Sequence, residues 1–363
     1  MSRVVIASDS FKGSIAAADA SSAIADGWAS VRRDDELVLL PMADGGEGTV
    51  DAFATAVPGS IRETSAVTGP DDREVTAEWL RLPDGTAVIE LAAASGLHLL
   101  DPLRPLDAHT LGFGQLVASA LAAGASRLVL AIGGSATTDG GAGLLTALGA
   151  RLLDADGRPV RAGNRGLAVL ERVDLDGLAV IPPGSVALSD VTNPLLGPSG
   201  AARVFGPQKG ASPAEAVAMD ANLDRLVSIL GAGELALAPG SGAAGGTGFA
   251  LLLAGIPLEP GARSIGELIG IPTAAASADL VITGEGRFDS QSASGKVVDY
   301  VSTVATAART PVALVAGSIE APTGSFRSTA SLSDLAGSAS EAMSNPRAWL
   351  VVAGRALATS FIP

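Results

Sequence analysis

Two glycine-rich stretches, LAIGGSATTDGGAG (130–143) and ITGEGRFDSQSASGK (282–296), gather carboxylates, hydroxyls and cations within a few residues of one another. Shorter sets of the same kind stand at SDSFKGS (8–14), MADGGEGT (42–49) and SDVTN (189–193). In the first stretch Gly133, Gly134, Gly140 and Gly141 surround Ser135, Thr137 and Thr138. Glycines let backbone N–H groups approach an anion closely while the hydroxyls donate to it, so the stretch reads as a phosphate or carboxylate cradle that also contains Asp139. Lysine is scarce: only Lys12, Lys209 and Lys296 occur among 24 basic residues, and each adjoins a glycine. A compact ammonium suits a phosphate site that a guanidinium fork does not. Lys12 and Lys296 are therefore expected at phosphates, with a surface role equally open for Lys209. Carboxylates, glycines, hydroxyls and isolated lysines together suit phosphoryl transfer. There Mg²⁺ is held by one or two hard carboxylates plus phosphate oxygens, and another carboxylate accepts the proton of the attacking hydroxyl.

The acids divide by their surroundings. Asp190 stands beside neutral Thr192 and Asn193 and is expected to be the base or orienter of the hydroxyl. Glu285 and Asp289, close to Arg287 and Lys296, are expected to hold Mg²⁺ directly or through its waters, with Arg287 offsetting charge on the transferring group. Asp44 and Glu47 are a reserve pair for either task. Ser10, Asn193, Gly242 and Gly245 complete the expected binding set. Gly240, Gly242 and Gly245 match G-x-G-x-x-G, but LAP before them is a poor strand and no acid follows at the dinucleotide distance, so a second anion or nucleotide loop is the reading.

Other chemistries lack their residues. There is no cysteine, and two histidines, His98 and His109, are too few for a metal cluster. No G-x-x-x-x-G-K-[ST] and no strand-borne G-x-S-x-G occur. The formal charge is −14 with scattered basic residues, which argues against nucleic acid and anionic membranes as partners. Apolar runs such as FALLLAGI fall well short of a membrane span, and MSRVVIAS reads as a strand rather than a leader, so a cytoplasmic protein is expected.

Elements must place these residues. Apolar runs at 4–8, 37–41, 87–91, 128–132, 186–189, 280–284 and 312–317 read as strands, and Asp9, Asp44, Asp190 and Glu285 each follow one, as does Asp139 after a longer loop. Alanine-rich segments at 14–31, 112–123, 142–153 and 213–230 read as helices. Nearly continuous apolar strands alternating with helices describe an α/β protein, and in such sheets ligands gather beyond the carboxyl ends of the strands. The Pro-, Asp- and Gly-rich segments 58–86, 154–185 and 192–212 read as irregular connections of a second domain inserted into the first. The expected division is 1–65 plus 275–363 for a Rossmann- or flavodoxin-like parallel-sheet domain and 66–274 for an inserted α/β domain, with the active site in the cleft between them. The tail from 333 to 361 reads as a structural helix pair on the outside.

In order and spacing, VVIASDSFKGS, LLPMADGGEGTVDAF, IELAAASGL, AIGGSATTDGGAGLLTALGARLLD, DVTNPLLGPSGAARVFGPQKGA, APGSGAAGGTG and DLVITGEGRFDSQSASGKV resemble the bacterial glycerate kinase family of the two-domain α/β type. The resemblance runs from about residue 3 to about 320. It implies transfer of the γ-phosphoryl of ATP to D-glycerate with a magnesium requirement, carbon 2 being favoured over carbon 3. Thr138 departs from the family pattern, which carries asparagine there. A kinase of another small hydroxy acid, a non-catalytic nucleotide or anion sensor on the same fold, and a phosphatase remain alternatives, and a homodimer stays open.

Overall fold

The computed structural model describes residues 1–11, 13–289 and 297–362, so Lys12 and Lys296 lie outside the described residues. The chain begins with β1 (Arg3–Ser8) and β2 (Glu36–Leu39). It continues through β3 (Ile61–Thr68), β4 (Glu74–Arg81), β5 (Thr86–Glu90), β6 (Arg127–Ala131), β7 (Arg151–Leu153), β8 (Arg172–Asp174), β9 (Val186–Leu188) and β10 (Leu258–Glu259). The last strands are β11 (Leu280–Phe288), β12 (Val312–Ile319) and β13 (Ser328–Ser331). Two compact units result: unit 1 is Met1–Asp44, Asp51–Pro58 and Pro260–Pro363, and unit 2 is Gly45–Val50 and Gly59–Glu259. The crossings expected near 65 and 275 thus fall at 58/59 and 259/260. Residues 61–68 are a strand of the second sheet, and the helix Gly261–Leu268 belongs to the first unit.

Unit 1 is a parallel sheet in the order β13-β12-β11-β1-β2. Counted within the unit this is 2-1-3-4-5, the flavodoxin-like order, whose direction of winding reverses between β1 and β11. Val4, Ile6, Leu280, Ile282, Ala313 and Val315 share one face and one core with Ile24 and Trp28 of the helix Ala17–Ala29 and Leu350 and Leu357 of the helix Pro346–Ser360. Leu314 and Ala316, on the other face, pack with Val298 of the helix Val297–Ala307. A strand covered on both faces has no polar side to show, which is why these strands read as unbroken apolar runs.

The segment after residue 331 is three helices, Leu332–Ala336, Ala339–Ser344 and Pro346–Ser360, and the last belongs to the core rather than the outside. It lies so close to Ala17–Ala29 that a Cβ on Gly27 would sit 2.1 Å from the Val351 carbonyl oxygen, and one on Gly354 2.2 Å from that of Ile24. Phe361 ends the segment against Trp28, with ring centroids 5.3 Å apart, and beneath the guanidinium of Arg32 at 5.1 Å.

Unit 2 is built on the sheet β10-β9-β6-β5-β4-β3, parallel from β10 to β5 and antiparallel from β5 to β3. Residues 58–86, expected to be irregular, thus hold two long antiparallel strands. One face of the pair is wet, so polar and apolar residues alternate through EVTAEW, a weaker signal than an apolar run. The helix expected over 142–153 stops at Ala147, because Gly149 turns the backbone at φ +107° and Arg151–Leu153 becomes β7. Ile89, Leu130, Phe113, Leu144, Leu223 and Phe249 lie in one core.

Candidate active site

In unit 1 the winding reverses between β1 and β11, where the helices that follow leave on opposite sides and a crevice opens at the carboxyl ends. The Asp9 N–H donates to the Gly284 carbonyl (2.8 Å), joining the strand ends, and the Asp9 carboxylate accepts the Ser10 N–H at 2.6 Å. A Cβ on Gly284 would lie 2.4 Å from the Val315 carbonyl oxygen, so glycine is what lets β11 and β12 meet there. The crevice is a cavity of about 400 Å³ whose polar wall is Asp9, Ser10, Asp44, Glu285, Arg287 and Asp289. Its other wall includes Leu332, Ala342, Met343 and Pro346. The structure therefore brings Ser10, Asp44, Glu285, Arg287 and Asp289 to one cavity, while Glu47, expected beside Asp44, lies in the other unit. Arg287 Nε lies 3.2 Å from Asp289 and its Nη2 donates to Glu320 at 2.5 Å, so one guanidinium serves two carboxylates. Asp9, named in the sequence only for its place after a strand, belongs to the same wall.

The expected cradle lies in unit 2 beyond β6, and its glycines have a packing account. Gly134, Gly140 and Gly141 adopt φ of +76°, +66° and +74°. A Cβ on Gly133 would sit 2.7 Å from Gly46 Cα, and one on Gly245 1.8 Å from the Thr137 carbonyl oxygen. Gly242 likewise backs onto the Pro194 carbonyl oxygen at 2.2 Å. Ala244, Gly245 and Gly246 are successive left-handed residues, at φ +51°, +66° and +94°, and form a turn pressed against the 137–140 loop.

The hydroxyls also have partners. Ser135 Oγ and Thr137 Oγ1 are 2.9 Å apart, and the Thr137 N–H donates to Ser135 Oγ at 3.0 Å. Asp139, expected among the ligand-binding residues, is instead fully buried and held in place as an internal cap. Its Oδ2 accepts from the Thr110 N–H (2.9 Å), the Thr110 hydroxyl (2.8 Å) and the Gly143 N–H (3.1 Å), and its Oδ1 from the Gly141 N–H (3.1 Å). These bonds tie the starts of the helices Leu111–Ala122 and Ala142–Ala147 to one carboxylate.

Glu47 and Asp190 are exposed at the same carboxyl edge of unit 2, Glu47 on the loop whose Gly45 carbonyl accepts the Gly133 N–H (3.0 Å), Asp190 just beyond β9. The Asn193 side chain donates to the Ser199 carbonyl at 2.8 Å and closes its own loop. Sequence reasoning passed over Glu90, whose buried carboxylate at the end of β5 accepts the Val50 N–H at 2.7 Å; an acid ending an apolar strand was the available signal. It left Lys209 undecided, and the structure buries it, 3% exposed, against the hydroxyl loop.

Among the described residues no three His, Cys, Asp or Glu side chains form a metal cluster, and no helix is long and apolar enough to cross a membrane. The glycerate kinase family model matches residues 4–361. A protein of Escherichia coli K12 named glycerate 2-kinase is 43% identical over 326 residues, covering 87% of this chain and 85% of its own length. The glycerate kinase of Bacillus subtilis 168 is 44% identical over 329 residues with the same coverage. A crystal structure of a Salmonella typhimurium LT2 protein provisionally named glycerate kinase 2 superposes with a TM-score of 0.85 at 38% identity, covering 99% of this chain and 98% of the other. From the carboxylate crevice and cradle in their two α/β units to these whole-length likenesses, the chain belongs to the glycerate kinase family.

Proposed function

We propose that this enzyme phosphorylates D-glycerate at the hydroxyl of carbon 2 with ATP, releasing ADP. The observation that carries the reading is the carboxylate wall at the switch point of unit 1, where Asp9, Asp44, Glu285 and Asp289 line one cavity with Arg287 and Ser10. Four carboxylates in a crevice repel a polyphosphate unless a cation intervenes, and hard carboxylate oxygens suit Mg²⁺, which keeps several waters and takes few protein ligands. Glu285 and Asp289 are the residues we assign to it, and when bound it offsets charge on the phosphate oxygens.

The chain's own groups supply the rest. Arg287, Lys12 and Lys296 present positive charge to the phosphates. Asp190 accepts the proton as the substrate oxygen bonds to the γ-phosphorus and the bond to the ADP oxygen breaks. Ser135 and Thr137 orient the acid. The choice of carbon 2 is supported by the name of the Escherichia coli relative. ADP release measured with and without D-glycerate tests the reaction, and phosphorus NMR of the product tests the carbon. Release that does not depend on glycerate, or a product phosphorylated at carbon 3, overturns the corresponding part.

A further inference from the structure

The amine of Lys209 has no place in the reaction as assigned above. It arrives on the turn Pro207–Lys209, which Gly210 ends at φ +90°. Its Nζ donates to the Thr137 carbonyl at 2.5 Å and to Ser135 Oγ at 3.5 Å. The charged group that acts on it is Asp139, whose oxygens already receive four donors. An ammonium buried without a direct carboxylate partner is costly, and a methionine would fill the same space without that cost.

We propose that Lys209 is a positioning residue for the acid substrate, acting through Ser135 to present positive charge to the substrate carboxylate at the rim of the 133–137 loop. The inference rests on the glycerate kinase reading and deepens it. Ser135 Oγ receives both the Thr137 N–H and the Lys209 ammonium, so its own proton is free to turn to an acceptor. Within hydrogen-bond reach that acceptor is Thr137 Oγ1, Thr137 O or Ala244 O, and a carboxylate arriving beside exposed Gly134 is a stronger one than any of them. The left-handed turn 244–246 touches Thr137 from behind and keeps the loop from retreating.

Burial pulls the Lys209 pKa down to about 7, with Asp139 pushing it back up. Below that pH the amine is charged and an anion is welcome; as pH rises through it the charge is lost. A bound carboxylate raises the pKa again, so binding takes up a proton on the alkaline side.

The test is the pH profile of KM for D-glycerate in the wild-type chain and in Lys209→Met. The wild type is expected to hold KM constant below pH 7 and to raise it by up to about tenfold per pH unit above. Lys209→Met should show KM raised about tenfold or more near pH 6 without that alkaline rise, while the pH profile of kcat is shared. A variant with wild-type KM near pH 6, or one that keeps the alkaline rise, overturns the inference. If the variant does not fold, calorimetry of D-glycerate binding to the wild type near pH 8, in two buffers of different ionisation enthalpy, decides: about one proton taken up supports it and none overturns it. Glycerate-dependent ADP release by the wild type judges the kinase reading separately, so either can fail alone.

Discussion

Replacing Asp139 with asparagine keeps the shape of the side chain and removes its charge and one acceptor. If the amide oxygen takes the Oδ2 position, the Thr110 N–H, Thr110 hydroxyl and Gly143 N–H keep an acceptor while the Gly141 N–H faces an NH₂ group. An unsatisfied buried donor costs about 1–3 kcal/mol. Turning three charge-assisted bonds into neutral ones costs about 1 kcal/mol each, since the charged kind is roughly twice as strong. Unit 2 should therefore lose about 4–6 kcal/mol, at the upper end of what single substitutions do. The chain has two units, so one unfolding curve is not a two-state measurement. Hydrogen exchange in peptides spanning 139–144 reads the unit 2 transition directly. A loss below about 1 kcal/mol, or unchanged exchange at Gly141 and Gly143, would refute the internal-cap account.

Gly245→Ala places a methyl 1.8 Å from the Thr137 oxygen at φ +66°, so the melting temperature of unit 2 should fall by about 5 °C or more in calorimetry; an unchanged transition would mean the turn has room. Glu285→Gln and Asp289→Asn should raise the magnesium concentration for half-maximal rate, whereas Asp190→Asn should lose turnover that magnesium does not restore; near-normal turnover in Asp190→Asn would remove it as the base. Burial raises the Tyr300 pKa to about 12, with Glu267 adding to the rise and Arg263 opposing it. Tyr300 is the only tyrosine, so an absorbance titration reads it alone, and ionisation near 10 in the folded chain would contradict that burial.

The parallel strands were legible because both of their faces are covered, and the crevice followed from them: once LVITG and VVIAS are neighbouring strands, Glu285 and the acids after β1 and β2 have one edge to occupy. β3 and β4 were not, since a strand with one wet face leaves a pattern that Pro and Gly nearby make look like loop. The cradle shows a subtler limit. Its glycines announced a tight backbone, but close approach to an anion and close approach to another loop demand the same residue, and Gly245 against Thr137 is the second case. Asp139 and Lys209 show the same ambiguity with charge. Whether a carboxylate caps helices from inside or an amine is drawn into the interior depends on partners such as Thr110 and Ser135, whose nearness only the fold creates.

Val4 pairs with Leu280. During synthesis on the ribosome, β1 and β2 therefore emerge long before the strand that closes their other side, and the helix Ala17–Ala29 waits longer still for the helix Pro346–Ser360. The sheet of unit 2 has all its strands once Glu259 has left the tunnel. The inserted unit thus matures first, while the opening segment of the chain carries an apolar strand edge without a neighbour. A nascent chain stalled at a length that puts Glu259 outside the tunnel but leaves β11 within it should resist protease across unit 2 and be cut readily before residue 45.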